Sequence, residues 1–263
     1  MPAFHAVAPS TFAAKRWKRY TRYAFAVHDA LAPLVAHELP RAALHLPTAF
    51  ALQGEAFTPV AVLGIQPGQN LFVAPDGRWL GGYTPAAYRA HPFALASLPD
   101  GQQVLAFDEA SGLLTEADGE PFFYADGTPA QGVKDVLAFL TQVQANRAHT
   151  DRICQVLAEH ALLQPWPITV QGDGGERMVQ GLHRIDEAAL NALPADALKA
   201  VQQAGALPVA YCQLLSVQHL PRLGELALAQ RKAAAPPRVP TTPAGELDLS
   251  FLSQNGTLNL GGL

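Results

Sequence analysis

Apolar positions recur at helical spacing over residues 29–46, at Leu31, Leu34, Val35, Leu39, Ala42 and Ala43. Pro33 suits a first turn, and Pro40 divides the stretch into two short helices. The pattern then shortens. Residues 48–53, 59–65 and 70–74 predict strands, separated by Gly54 and by Gln66-Pro67-Gly68. Asp76-Gly77 makes a tight turn into Arg78-Trp79-Leu80, and residues 85–90 form a helical turn that stops at Pro92. Residues 103–108 and 121–125 are further strands, punctuated by Asp100-Gly101, Asp118-Gly119 and Asp126-Gly127. From residue 129 to about 163 the period is helical, with stripes at Val133, Val136, Leu137, Leu140 and Val143, then Ile153, Val156 and Leu157. Residues 166–171 and 178–185 predict strands around a glycine turn, and Asp186 caps a short helix. Residues 207–215 predict a buried strand, and Leu220, Leu223 and Leu226 open a last helix ending near Lys232.

Helices and antiparallel hairpins in separate blocks define an α+β fold with a single main domain. The boundaries are a loose, basic N-terminal arm over 1–22, the main domain over 23–232, a proline-rich linker over 233–246, and a tail over 247–263. Leu249, Phe251 and Leu252 predict that the tail docks on the body.

Composition narrows the classes. The chain has 263 residues, 49% of them hydrophobic, and a formal net charge of −4, which excludes disorder for most of it. Residues 1–45 carry six basic against two acidic residues, whereas residues 46–140 carry three against ten. The N-terminal bases interleave with Trp17, Tyr20 and Tyr23, a pattern suited to nucleic acid or an anionic membrane. Because the remainder lacks a basic surface, nucleic acid is not favoured, and the arm is expected to fold onto the acidic middle. No run reaches the 18 apolar residues of a membrane helix. The two cysteines, Cys154 and Cys212, exclude a disulfide scaffold, and a cytoplasmic location is expected.

Catalytic signatures are missing. No phosphate-binding glycine loop, dinucleotide fingerprint, nucleophile elbow or HExxH is present. His149 and Asp151 with His183 or His219 offer the parts of an iron-binding triad, but helical spacing places 149 and 151 about 200° apart around the axis. No metal and no cofactor are expected. The cysteines lie in apolar stretches where thiols are inert, and repeated Asp-Gly reads as turn chemistry because no calcium-loop pattern accompanies it.

One block of text is distinctive. It runs through Pro33-Leu34-Val35, Glu38-Leu39-Pro40-Arg41, Val62-Leu63-Gly64-Ile65, Gln69-Asn70-Leu71-Phe72-Val73, Asp76-Gly77-Arg78-Trp79, Gly82-Tyr83-Thr84-Pro85, Tyr88-Arg89 and His91-Pro92-Phe93. In this order and spacing it resembles the SapC family, bacterial proteins named for surface-layer protein secretion. Residues 154–163 and 207–216, Gly181-Leu182 with Ile185-Asp186-Glu187, and the closing Asp248-Leu249-Ser250-Phe251-Leu252 resemble it too. The resemblance carries no catalytic residues. It implies an accessory or binding protein whose partner is a secreted or cell-surface polypeptide; the alternative is an enzyme acting on peptide or envelope material, metal-dependent if its histidines converge. Asn70, Trp79, Tyr83, Tyr88, Arg89 and Phe251 are the candidate binding residues, while Trp79, Tyr83 and Phe93 are also expected to be buried anchors.

Overall fold

The computed structural model describes residues 2–98, 101–172 and 175–234. The strands are β1 (Phe4–Ala6), β2 (Arg16–Trp17), β3 (Leu31–Pro33), β4 (Thr48–Gln53), β5 (Ala56–Val62), β6 (Phe93–Ser97), β7 (Gln103–Asp108), β8 (Leu114–Thr115), β9 (Glu120–Pro121), β10 (Leu163–Pro165), β11 (Ile168–Gly172), β12 (Gly175–Val179) and β13 (Leu182–Ile185). The helices are α1 (Pro9–Phe12), α2 (Leu39–Ala42), α3 (Ala86–Arg89), α4 (Gln131–Glu159), α5 (Glu187–Asn191), α6 (Ala195–Gln203), α7 (Ala206–Ser216) and α8 (Leu220–Ala234). All strand pairs between these elements are antiparallel, so the α+β expectation holds.

The main sheet has the order β10-β13-β4-β5-β3. Its centre is the β4–β5 hairpin, in register from Thr48 opposite Ala61 to Gln53 opposite Ala56. Gly54, at φ +63°, takes the left-handed turn conformation that a side chain would disfavour. Thr48, Ala49, Phe50 and Ala51 are all buried, so this end of β4 is covered on both faces. Helices α4 and α7 pack here, and Leu39, Phe50, Ile153, Leu157, Leu182 and Leu223 are among the side chains of the large core.

A second, smaller core lies between the sheets β1-β7-β6 and β8-β2-β9. Phe12, Trp17, Phe93, Phe107 and Phe122 fill it, with ring centroids 4.7–6.0 Å apart in tilted or edge-on pairs. Helix α4 serves both cores. Val133, Val136 and Leu140 touch the small one, and Ile153, Cys154 and Leu157 the large one. At about 1.5 Å per residue, its 29 residues span roughly 44 Å.

Four expectations need correction. Residues 4–17 are not a loose arm, because Phe12 and Trp17 are fully buried in the small core. Their neighbours do fold onto the acidic middle: Lys15 pairs with Glu109 at 3.1 Å, Lys18 with Asp118 at 3.7 Å, Arg19 with Glu120 at 2.6 Å and Arg22 with Asp76 at 3.6 Å. Residues 29–46 are not wholly helical. Leu31–Pro33 pairs with β5, and only Ala36–Glu38 and α2 are helical turns. Residues 70–74 form no strand; Val73 bridges Trp79 across the Asp76-Gly77 turn instead. Residues 207–215 are helix α7, for reasons given below. The long helix, the capped helix α5 (Asp186 Oδ1 accepts from Ala189 N–H at 3.0 Å) and the final helix occur where the pattern places them. The tail over 247–263, with Phe251, and the linker beyond Ala234 lie outside the described residues.

Candidate functional site

The site is built around one buried carboxylate. The 3-10 turn Ala36–Glu38 begins with backbone N–H groups that have no partner within the turn. Side chains supply them: Ala36 N–H donates to Thr150 Oγ1 at 2.8 Å, and His37 N–H to Asn146 Oδ1 at 3.1 Å, both from α4. Glu38 reaches back so that its Oε1 accepts from Val35 N–H at 2.9 Å. Its Oε2 accepts from the Tyr83 hydroxyl and from Ala86 N–H, each at 2.8 Å. Glu38 is thus 5% exposed, with both carboxyl oxygens hydrogen-bonded, as a buried polar group must be.

Arg89 completes the arrangement. Its Nη2 donates to the Tyr83 hydroxyl at 2.8 Å and stands 3.5 Å from Glu38 Oε2. The guanidinium carbon lies 5.5 Å from the Tyr83 ring centroid and 5.3 Å from that of Phe139. Burial first, and then the Glu38 carboxylate, push the Tyr83 hydroxyl well above its ordinary pKa, so it remains a donor. These groups line a cleft of about 300 Å³ with Arg41, Asn146 and Gln142. The cleft opens over the middle of α4, between its contacts with the two cores.

Beside it is an aromatic cluster. Trp79 is half-buried, lies 5.3 Å from Tyr23 and 5.7 Å from Phe72, and donates from Nε1 to the Tyr83 carbonyl at 2.9 Å. Tyr88 is buried, and burial first, then the neighbouring Asp29 carboxylate, raise the pKa of its phenol. His91 stacks on Phe25 at 3.7 Å. Of the three expected anchors, Phe93 is buried, whereas Trp79 and Tyr83 are only half-buried because each also borders open space.

A second concavity, a groove of about 850 Å³, lies between the segment 65–77 and the end of α8. Val27, Ile65, Val73 and Ala227 give it apolar walls, and Arg22, His28 and Asp76 a polar rim. Asn70 borders it but is spent within the fold: Nδ2 donates to the Ala26 carbonyl at 2.9 Å, and Oδ1 accepts from Phe72 N–H at 3.0 Å. Gln230 of α8 closes one wall by donating to the Val73 carbonyl at 3.1 Å.

Of the residues singled out in the sequence, Tyr83 and Arg89 lie in the small cleft. Glu38 and Arg41 stood in the family-like block without being singled out, and Phe139 and Asn146 were missed. A lone carboxylate in the otherwise apolar text around Leu34–Leu39 was the available signal for Glu38. The proposed triad parts are dispersed. His149 faces His37 with centroids 6.1 Å apart, His183 lies edge-on to Phe57 at 4.9 Å, and His219 bonds the Ala43 carbonyl at 3.0 Å. Among the described residues, no three His, Cys, Asp or Glu side chains are grouped to hold a metal ion. Burial pushes the Cys154 thiol up to about 12 and raises that of Cys212, so neither is a thiolate near neutral pH. No helix among the described residues is long and apolar enough to cross a membrane.

An α+β protein with two aromatic-rich cores, a buried-carboxylate cleft and an open groove is the class these features define. The family model described as SapC matches residues 8–223, and the chain belongs to the SapC family. Neither the curated proteins nor the solved structures contain a match to it.

Proposed function

We propose that the protein is a non-catalytic accessory protein of the cytoplasm that binds an extended segment of a secreted or cell-surface polypeptide in the 850 Å³ groove. The groove's mixed lining carries this reading. Apolar walls suit alternate side chains of an extended segment, and the polar rim suits its backbone and charges. Family membership supports the link to surface proteins through the family's name alone. The expected docking of residues 247–260 concerns residues outside the described ones. The same groove is its proposed seat, since the chain continues from α8, whose Ala227 and Gln230 line it.

Fluorescent dodecapeptides with alternating apolar residues test the reading by anisotropy. The wild-type chain is expected to bind them saturably, and Val27→Glu, at an exposed wall position, to weaken binding at least about tenfold. Absence of saturation, or equal binding by both proteins, would remove the groove as a peptide site.

A further inference from the structure

We propose that the cleft at Glu38, Arg41 and Arg89 binds a carboxylate carried on a small apolar group. A polypeptide's C-terminal residue and a free short-chain acid share this chemistry. The inference does not depend on the groove, which shares no lining residue with the cleft.

The charge balance of the cleft is the first ground. Two guanidiniums line it against one carboxylate, and that carboxylate is already saturated by Val35 N–H, Ala86 N–H and the Tyr83 hydroxyl. Glu38 thus has little capacity left for a cationic ligand, and its donors offset its repulsion of an incoming anion. Arg41 forms no side-chain hydrogen bond or ion pair among the described residues. Arg89 uses Nη2 on the Tyr83 hydroxyl at 2.8 Å and stands 3.5 Å from Glu38 Oε2, so one guanidinium of the two is paired within the fold and the cleft keeps a net positive charge.

Preorganisation is the second ground. Tyr83 and Phe139 flank the Arg89 guanidinium, so a planar fork is held in place before any ligand arrives. A planar carboxylate matches two parallel N–H donors. The Asn146 and Gln142 side chains line the same space. Apart from His37, the remaining wall is apolar, formed by Val35, Ala86, Phe139 and Val143, which suits an alkyl group better than a compact tetrahedral anion. A volume of about 300 Å³ admits one terminal residue, not an extended chain.

Calorimetric titration of the full chain with N-acetyl-leucine, N-acetyl-leucinamide, N-acetyl-glycyl-leucine, 4-methylpentanoate and inorganic phosphate provides the test. Both acetylated acids are expected to bind saturably, with the amide at least about tenfold weaker because it lacks the charge. Arg41→Gln, a change at an exposed side chain with no partner to lose, is expected to weaken the acids about tenfold while leaving the melting temperature unchanged. Tighter binding of the peptide acids than of 4-methylpentanoate assigns the site to polypeptide C-termini; equal binding assigns it to free acids. The proposal is overturned if no acid saturates, if the amide binds as well as the acid, if Arg41→Gln binds undiminished, or if phosphate binds best.

Discussion

Glu38 and His91 are opposite ways of placing an ionisable group inside this fold. Glu38 accepts from three donors, and replacing it by glutamine turns one accepting oxygen into an amide NH2 that faces donors. Glu38→Gln should lower stability by roughly 1–3 kcal/mol, read from urea unfolding at neutral pH. His91 has no such compensation. It lies flat against Phe25 and edge-on to Tyr20, and burial depresses its pKa although Asp108 opposes this. The unfolded chain then binds a proton more readily than the folded one below the ordinary histidine range. Stability from this residue is present above that range and falls as the pH drops toward the depressed value. His91→Phe keeps the ring stack without the proton, so its melting temperature should fall less than the wild type's between pH 7.5 and 5.5. An identical fall in both proteins would assign the acid sensitivity elsewhere.

Helix α7 shows at the level of elements what the amino-acid pattern discloses and what it conceals. The text from 207 to 215 is apolar, strand-length and free of helical periodicity, because one face is buried while Tyr211 and Leu215 stand exposed on the other. Hydrophobic period is silent in such a run. The informative residues are the polar ones, Gln213 and Ser216, which are buried at helical spacing with Val209 and Ala210. Ser216 Oγ accepts from Thr48 N–H at 3.0 Å, while Gln213 donates to the Thr48 carbonyl at 3.2 Å and accepts from Ile185 N–H at 2.9 Å. Side chains of α7 thus serve backbone groups of β4 and β13 at a point where those strands do not pair with each other. Gln213→Leu would strand two buried backbone groups and should cost about 2 kcal/mol or more, measured by thermal or urea unfolding. Strands with clear turn chemistry, such as β4 and β7, were legible in advance, as was α4 from its length and period. The Glu38 cleft was only half legible: Tyr83 and Arg89 sit in distinctive text, but Phe139 and Asn146 come from a helix about 50 residues further along the chain, and no local pattern announces that approach.

On the scale of the whole molecule, the N-terminal segment is an integral part of the small core. Phe12 is fully enclosed among Phe107 and Phe122, so Phe12→Ala should destabilise the protein by about 3–5 kcal/mol. A detached arm would leave the unfolding midpoint unchanged. The surface pairs from Lys15 to Arg22 add little by comparison, since exposed ion pairs are worth roughly 0–1 kcal/mol each. Both cores meet on α4, whose backbone ladder runs without interruption from one to the other. Loss of the small core would therefore leave the first turns of that helix without support, and its fraying would reach the turn that holds Glu38. The tryptophans happen to be distributed across this arrangement, with Trp17 inside the small core and Trp166 in the large one. Single-tryptophan variants would make each core its own optical reporter. A continuous α4 requires the two emission signals to change at one denaturant concentration, as a single cooperative unit would.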